Sequence, residues 1–219
     1  MSRILVFDTE TTGLPKSKFS KPENTNEWPY IVQLSYIIYN VEKMTVEKCF
    51  DHIIQIPSTI IINEKCVSIH GISNQISTEQ GIPLDICLDS FLDDFRSVDL
   101  VIGHNIEFDL NMILAELWRR PRYSSSQIKT ILNSTHLFCT MQEGMDLCRI
   151  KSLKNYNNSD YKFPNLAELH HYLFGKIPIH LHNSMNDVII CLRCYHKMKY
   201  NVDICSENSE LEQMVKKLL

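Results

Sequence analysis

Apolar residues fall in short blocks along this chain, and the period of the blocks changes from one to the next. Ile4-Leu5-Val6-Phe7 is an unbroken apolar run, and it predicts a buried strand over 3–8. The stretches 31–39 and 49–55 are rich in Ile, Tyr, Val and Phe and predict two more strands. Leu88, Phe91, Leu92 and Phe95 recur at helical spacing and predict an amphipathic helix. Leu100-Val101-Ile102 is a further short strand, followed by Leu110, Ile113, Leu114 and Leu117 on one helical face. Another strand is expected over 137–141, then helices over 166–173 and 187–199. The last of these carries Val188, Ile189, Leu192 and Tyr195 as its apolar stripe. In the tail after residue 206, Leu211, Val215 and Leu218 would face inward from a short helix. Strands mixed with helices in this way predict an α/β layer.

The polar residues that interrupt this pattern carry the chemistry. Asp8 and Glu10 follow the first strand directly. Residues two apart on a strand share a face, so both carboxylates project together at its tip. An isolated Asp-x-Glu of this kind is usually a solvated strand end. Two close carboxylates repel unless a positive charge lies between them, and hard oxygen donors suit magnesium or manganese. Gly13 permits a tight or left-handed turn, and Pro15 stops strand pairing, leaving Leu14 exposed on the turn. Further along, Gly103-His104-Asn105-Ile106-Glu107-Phe108-Asp109 puts Asp109 in the first turn of a helix, where the helix dipole favours an anion. Near the end, His182 stands five residues before Asp187, whereas His180 stands seven before it.

Together these strings resemble the DEDDh exonucleases, the DnaQ-like relatives of polymerase proofreading domains. Asp8-Thr9-Glu10-Thr11-Thr12-Gly13-Leu14 is similar to the first motif of that family. His104-Asn105 with Phe108-Asp109 is similar to the second, and His182 with Asp187 to the third. The family often has Ala two residues after the histidine, where this chain has Ser184. Cys139-Thr140-Met141 and the segment 161–169 also resemble the family's connecting segments, so the likeness runs from about residue 3 to 198. It implies a ribonuclease H-like exonuclease fold, with a mixed central sheet flanked by helices, over 1–200, and a C-terminal tail over 201–219.

Composition narrows the picture without changing it. The chain has 219 residues, 44% of them hydrophobic and 22% charged, as expected of one globular domain. There is no apolar run of about 18 residues and no signal-like start, so an intracellular protein without a membrane span is expected. The eight cysteines are expected as free thiols in that compartment. Cys191-x-x-Cys194 has no well-spaced further ligands and reads as core rather than zinc. The adjacent His170-His171 pair reads as surface or satisfied core. The net charge of −4 argues against broad nonspecific binding to duplex DNA. It leaves room for a nuclease gripping a few nucleotides through local basic clusters. These are Lys16, Lys18 and Lys21; Arg119, Arg120 and Arg122; and Arg149, Lys151, Lys154 and Lys162, interleaved with Tyr156 and Tyr161.

The resemblance also implies a mechanism: metal-dependent 3′→5′ exonucleolysis of single-stranded DNA or frayed 3′ ends to nucleoside 5′-monophosphates. Two divalent cations, Mg2+ or Mn2+, about 3.5–4 Å apart would be held by Asp8, Glu10, Asp109 and Asp187. Asp8 would bridge them, with Glu10 and Asp187 on the nucleophile side and Asp109 on the second ion. His182 would take the proton of the attacking water, a task suited to an imidazole near neutral pH. Leu14 would wedge against the terminal base and Thr9 would touch the terminal sugar. His70 would be either a substrate contact or a helix cap. A polymerase is a candidate partner. An exoribonuclease of the same superfamily is the rival enzyme, because discrimination by the 2′-hydroxyl has no motif here. A noncatalytic nucleic-acid-binding or polymerase-tethering module is the rival of another class, and the presence of all five chemical residues counts against it.

Overall fold

A computed structural model of the chain describes residues 2–133, 136–156 and 159–219. Strands β1 (Arg3–Thr11), β2 (Ile31–Asn40) and β3 (Thr45–Gln55) form an antiparallel meander. Two seven-residue helices follow, α1 (Glu64–His70) and α2 (Asn74–Gln80), capped by the side chains of Asn63 and Ser73. Then come β4 (Ile82–Pro83), α3 (Leu84–Arg96), β5 (Leu100–Gly103), α4 (Ile106–Trp118) and α5 (Ser125–Leu132). Next are β6 (His136–Cys139), α6 (Thr140–Cys148) and a hairpin of β7 (Lys151–Tyr156) and β8 (Ser159–Tyr161). Helices α7 (Leu166–Phe174), α8 (Ser184–Tyr200) and α9 (Ser209–Lys216) complete the chain.

The main sheet has the order β4-β3-β2-β1-β5-β6, with β5 and β6 running parallel to β1. β1 lies inside it and its apolar run is buried on both faces, which is why that run is continuous rather than alternating. Leu5, Phe7, Leu34 and Tyr36 face one core with α3 and α4. Ile4, Val6, Ile37 and Tyr39 face the other with α7, α8 and α9, where Leu211, Val215 and Leu218 are buried as their spacing predicted. This is the mixed α/β architecture expected, with helices on both faces of the sheet.

Several expectations are corrected. The strand expected over 137–141 ends at Cys139, and Thr140 and Met141 open α6 instead. The Thr140 hydroxyl lies 3.0 Å from His104 Nδ1 and 3.3 Å from the Gly103 carbonyl, bonds that draw the chain out of the strand path. Gly13 does not adopt positive φ, and a Cβ there would meet open space, so the turn needs no glycine on steric grounds. The strand expected over 49–55 begins four residues earlier, at Thr45. Among the described residues, no helix is long and apolar enough to cross a membrane. All eight cysteines are free, and Cys191 and Cys194 are buried. His170 is a satisfied core residue, bonded to the Lys176 carbonyl and to Arg193, while His171 is exposed.

Candidate active site

Strand alternation places Asp8 and Glu10 on the α8 face of β1, continuing the row of Ile4 and Val6. Asp187 arrives from the first turn of α8, whose N-terminus is capped by the Asn183 side chain accepting from the Asn186 N–H. One carboxylate oxygen from each of Asp8, Glu10 and Asp187 lies within 4.8 Å of the others. Asp109 comes from the opposite face of the sheet, on the first turn of α4. It is held by Thr9, whose amide and hydroxyl donate to its Oδ1 at 3.0 and 2.7 Å. The Thr9 amide, a backbone group expected at a terminal sugar, is thus engaged by the fourth acid.

Every acid in this cluster is pushed up. Burial is the main cause for Asp8, followed by the charges of Asp109, Asp187 and Glu10. Burial and the same neighbours raise Glu10 to about 8. Burial raises Asp109 to about 7 against the two Thr9 bonds, and Asp187 to about 7 against the His182 N–H. That N–H donates to Asp187 Oδ2 at 3.0 Å, while Asp187 Oδ1 is buried without a partner. Hard oxygen donors, mutual proximity and a buried lone pair aimed nowhere fit a divalent cation, which Asp8, Glu10 and Asp187 would hold.

Two cavities flank the acids. One, of about 510 Å3, is lined by the 9–14 turn and by Asn63, Lys65, Cys66, Ile69, His70 and Phe108. Leu14 stands on its rim, 81% exposed, with Ile69 also exposed. His70 does two things here. Its Nδ1 accepts from the Ile72 N–H just past α1, and its Nε2, which must then carry the proton, donates to the Thr11 carbonyl at 3.2 Å. Burial first, then the charge of nearby His182, keeps it below the usual imidazole range. The other cavity, of about 290 Å3, is lined by Asp8, His104, Asn165, Leu166, Leu181, His182 and Asp187, among others. His182 is exposed at its edge, with φ +68°. His180, also left-handed, gives its carbonyl to Asn186 Nδ2. Such conformations cost a non-glycine residue energy and gather at functional loops.

Some residues of the site escaped the sequence reading. Phe108 and Ile69 were visible inside motif strings, but their direction into the larger cavity was not. His104 is half-buried in the wall of the smaller one and pushed down to about 4, mainly by loss of contact with water. The Pro164 carbonyl can only accept, so His104 Nε2 is the protonated nitrogen and Nδ1 accepts, sharing the one Thr140 hydroxyl proton with the Gly103 carbonyl. The basic cluster after α4 is occupied elsewhere. Arg119 binds Glu116 and three backbone carbonyls, Arg120 binds Glu116 and Asp85, and Arg122 binds Asp89. In the third cluster Lys162 pairs with Glu168, and the side chains of Lys154 and Tyr156 lie outside the described residues.

Residues 5–195 match the exonuclease family RNase_T. No curated protein matches the chain. Among solved structures, it is similar to Escherichia coli exonuclease I in complex with a dA16 oligonucleotide, at 15% identity and a TM-score of 0.60 over 97% of this chain and 45% of that one. The zinc-ion-bound form of the E. coli enzyme with single-stranded DNA gives 16% and 0.59 over 94% and 42%. A moderately thermophilic exonuclease I from Methylocaldum szegediense gives 14% and 0.58 over 93% and 42%. This chain thus spans less than half the length of the exonuclease I chains it resembles. The likeness establishes the ribonuclease H-like exonuclease fold, and the match over 5–195 establishes the family: the chain belongs to the RNase_T exonucleases.

Proposed function

We propose that this chain is a divalent-metal-dependent 3′→5′ exonuclease that shortens single-stranded DNA or frayed 3′ ends and releases nucleoside 5′-monophosphates. The observation that carries the reading is the convergence of Asp8, Glu10 and Asp187, with Asp109 beside them, next to a cavity of about 510 Å3 rimmed by exposed apolar side chains. A single-stranded substrate accords with the oligonucleotide complexes of the exonuclease I structures.

Mg2+ or Mn2+ held by Asp8, Glu10, Asp109 and Asp187 would acidify the attacking water and offset charge on the scissile phosphate. The chain's own residues do the rest. Leu14, Ile69 and Phe108 offer apolar surface to the terminal base, and Lys65 offers a charge to a phosphate. Thr9 holds Asp109 by two hydrogen bonds, which leaves the second Asp109 oxygen to the site. His182 accepts the proton of the attacking water at a ring nitrogen, phosphorus gains the hydroxyl, the bond to the 3′ oxygen breaks, and that oxygen takes a proton from solvent to become the new 3′ hydroxyl. His70 and His104, both neutral, line the two flanking cavities without adding positive charge.

The test is a side-by-side digestion of one sequence as single-stranded DNA, duplex DNA and RNA, with Mg2+, Mn2+ or EDTA. Mononucleotides released from a free 3′ hydroxyl on DNA, and nothing in EDTA, are expected. Preference for RNA would move the assignment to an exoribonuclease. Rapid nicking of a closed circle, or full activity in EDTA, would sink the reading.

A further inference from the structure

β2 is buried along its whole length, yet it carries Gln33 and Ser35 at a spacing of two. The strand register explains where they point. Ser35 lies directly opposite Asp8, and Gln33 directly opposite Glu10. Directly opposed residues of an antiparallel pair share a face, so both polar side chains stand beside the two acids on the α8 side. On the far strand, Asp51 lies opposite Ser35.

These side chains meet the first residue of α8. Ser184 and Ser35 are both fully buried, and their hydroxyls are 2.5 Å apart. Ser35 lies 2.7 Å from Asp51 Oδ1, a carboxylate oxygen that accepts its single proton. The Ser184 hydroxyl must therefore be the donor to Ser35. The Ser184 N–H, one of the free amides of the helix start, donates to Gln33 Oε1 at 3.3 Å. Gln33 Nε2 donates to the same Asp51 Oδ1 at 2.8 Å. Two paths from Ser184, one through its hydroxyl and one through its amide, thus close on one oxygen of Asp51. Every proton in the ring has an acceptor. Ser184 follows His182 by two residues and precedes Asp187 by three. The His182 N–H returns to the Asp187 carboxylate, so fixing Ser184 fixes the loop and the acid together.

We propose that Gln33, Ser35 and Asp51 are positioning residues: a hydrogen-bonded clamp on Ser184 that sets Asp187 and the His182 loop against Asp8 and Glu10. The proposal rests on the exonuclease reading of that acid site. It gives the Ser184 hydroxyl a task, since an alanine at that position would keep only the amide path to Gln33.

The test uses the full chain with Ser35→Ala, Ser184→Ala, the double variant, Asp51→Ala and Asp51→Asn. Three quantities are measured: the Mn2+ dissociation constant by calorimetry, kcat and KM on a single-stranded oligodeoxynucleotide, and Tm. Each serine change should weaken Mn2+ binding and lower kcat by about 3- to 30-fold, with KM within about twofold. The double variant should be no worse than the worse single, because both break one chain. Asp51→Asn keeps the accepting oxygen and should stay near wild type, whereas Asp51→Ala should match the serine variants. Should Ser35→Ala fold poorly, Ser184→Ala alone decides. Lower Tm with wild-type Mn2+ affinity and kcat, a change confined to KM, or losses that multiply in the double variant would overturn the clamp while leaving the exonuclease intact. A wild-type protein that neither binds Mn2+ nor cleaves overturns the exonuclease reading, and the clamp falls with it.

Discussion

Helix α4 carries two buried acids two turns apart, and they live in opposite surroundings. Glu116, 1% exposed, accepts from Arg119 at 2.6 Å, from Arg120 at 2.7 Å and from the Ile31 N–H at 3.3 Å. Asp109, 3% exposed, accepts from the Thr9 amide and hydroxyl and faces Asp8, Glu10 and Asp187. Burying an unpaired charge is costly, and a folded chain answers by supplying a partner or by protonating the group. At Glu116 the chain supplies the partner: the arginines tie α4 to the 25–29 segment and to α3. At Asp109 burial, with the charge of Asp187 added, drives the acid up to about 7. The first arrangement is complete as it stands. The second leaves acids that hold their protons or, on the proposed reading, would share a cation.

Two substitutions should separate these sites most widely. Asp8→Ala should abolish nuclease activity by at least about 10³-fold while leaving the metal-free fold as stable as wild type or more so, since it relieves repulsion. Glu116→Ala should do the reverse. It strands two partly buried arginines and should cost about 3 kcal/mol of stability, with activity kept in the molecules that remain folded. Denaturant melts and single-turnover rates on both variants check this. A destabilised Asp8→Ala protein would erase the contrast.

Next in size is the histidine pair. His182→Ala should lower turnover by about 10²- to 10⁴-fold, with Mn2+ binding little changed, whereas His180→Ala should cost little. His182 shares a cavity with Asp8 and Asp187, while His180 lends a carbonyl to Asn186. Equal losses under single-turnover conditions would overturn the assignment of the base.

What the sequence made legible divides along the same line. Asp8 and Glu10 could be read from alternation, because a strand fixes its own faces locally. Asp109 and Asp187 could be read as helix-start residues, but the Thr9 bonds to Asp109 span a separation of 100 residues and depend on which strand α4 crosses. The basic cluster Arg119-Arg120-x-Arg122 was legible as charge and misleading as function, since its acids lie in Glu116, Asp85 and Asp89. Gln33 and Ser35 gave a local signal, two polar residues two apart in an apolar strand. Their meaning needed the register that sets them opposite Asp8 and Glu10. Helices α1 and α2 were missed because seven residues hold too few turns for periodicity, although their caps at Asn63 and Ser73 were in plain view. The strand expected to run to Met141 overran because Thr140 is turned by bonds to His104 and Gly103, contacts 36 and 37 residues away.

A pH titration of stability sharpens the comparison further. In EDTA, Glu10, Asp109 and Asp187 hold their protons up to about 8, 7 and 7, whereas unfolded carboxyls release theirs near pH 4. The folded state then binds more protons than the unfolded one through that window, so its stability falls as pH rises from about 4 to about 8. The drop in Tm should be about 5 °C or more. Saturating Mn2+ should reverse it, since a ligand bound only by the folded state stabilises it. A Tm in EDTA that rises across the same window would mean the acids are not crowded as the structure has them.

The smallest expected effect lies at Thr9, which donates twice to Asp109. Thr9→Val keeps the shape and the amide donor, and removes only the hydroxyl bond at 2.7 Å. That bond lowers the pKa of Asp109 against its burial, so its loss should push the acid further up. Less of the ionised form is then ready for a cation at neutral pH. Activity at pH 7 should fall by about 3- to 10-fold, the effect of one hydrogen bond to a charged group in a partly screened site. The loss should shrink as pH rises, because Asp109 regains its ionised form in the variant, and higher Mn2+ should offset it. A loss constant across pH would assign Thr9 a purely geometric role. No loss at all would mean that the amide at 3.0 Å suffices to hold Asp109, and that the contrast with the doubly paired Glu116 is wider still.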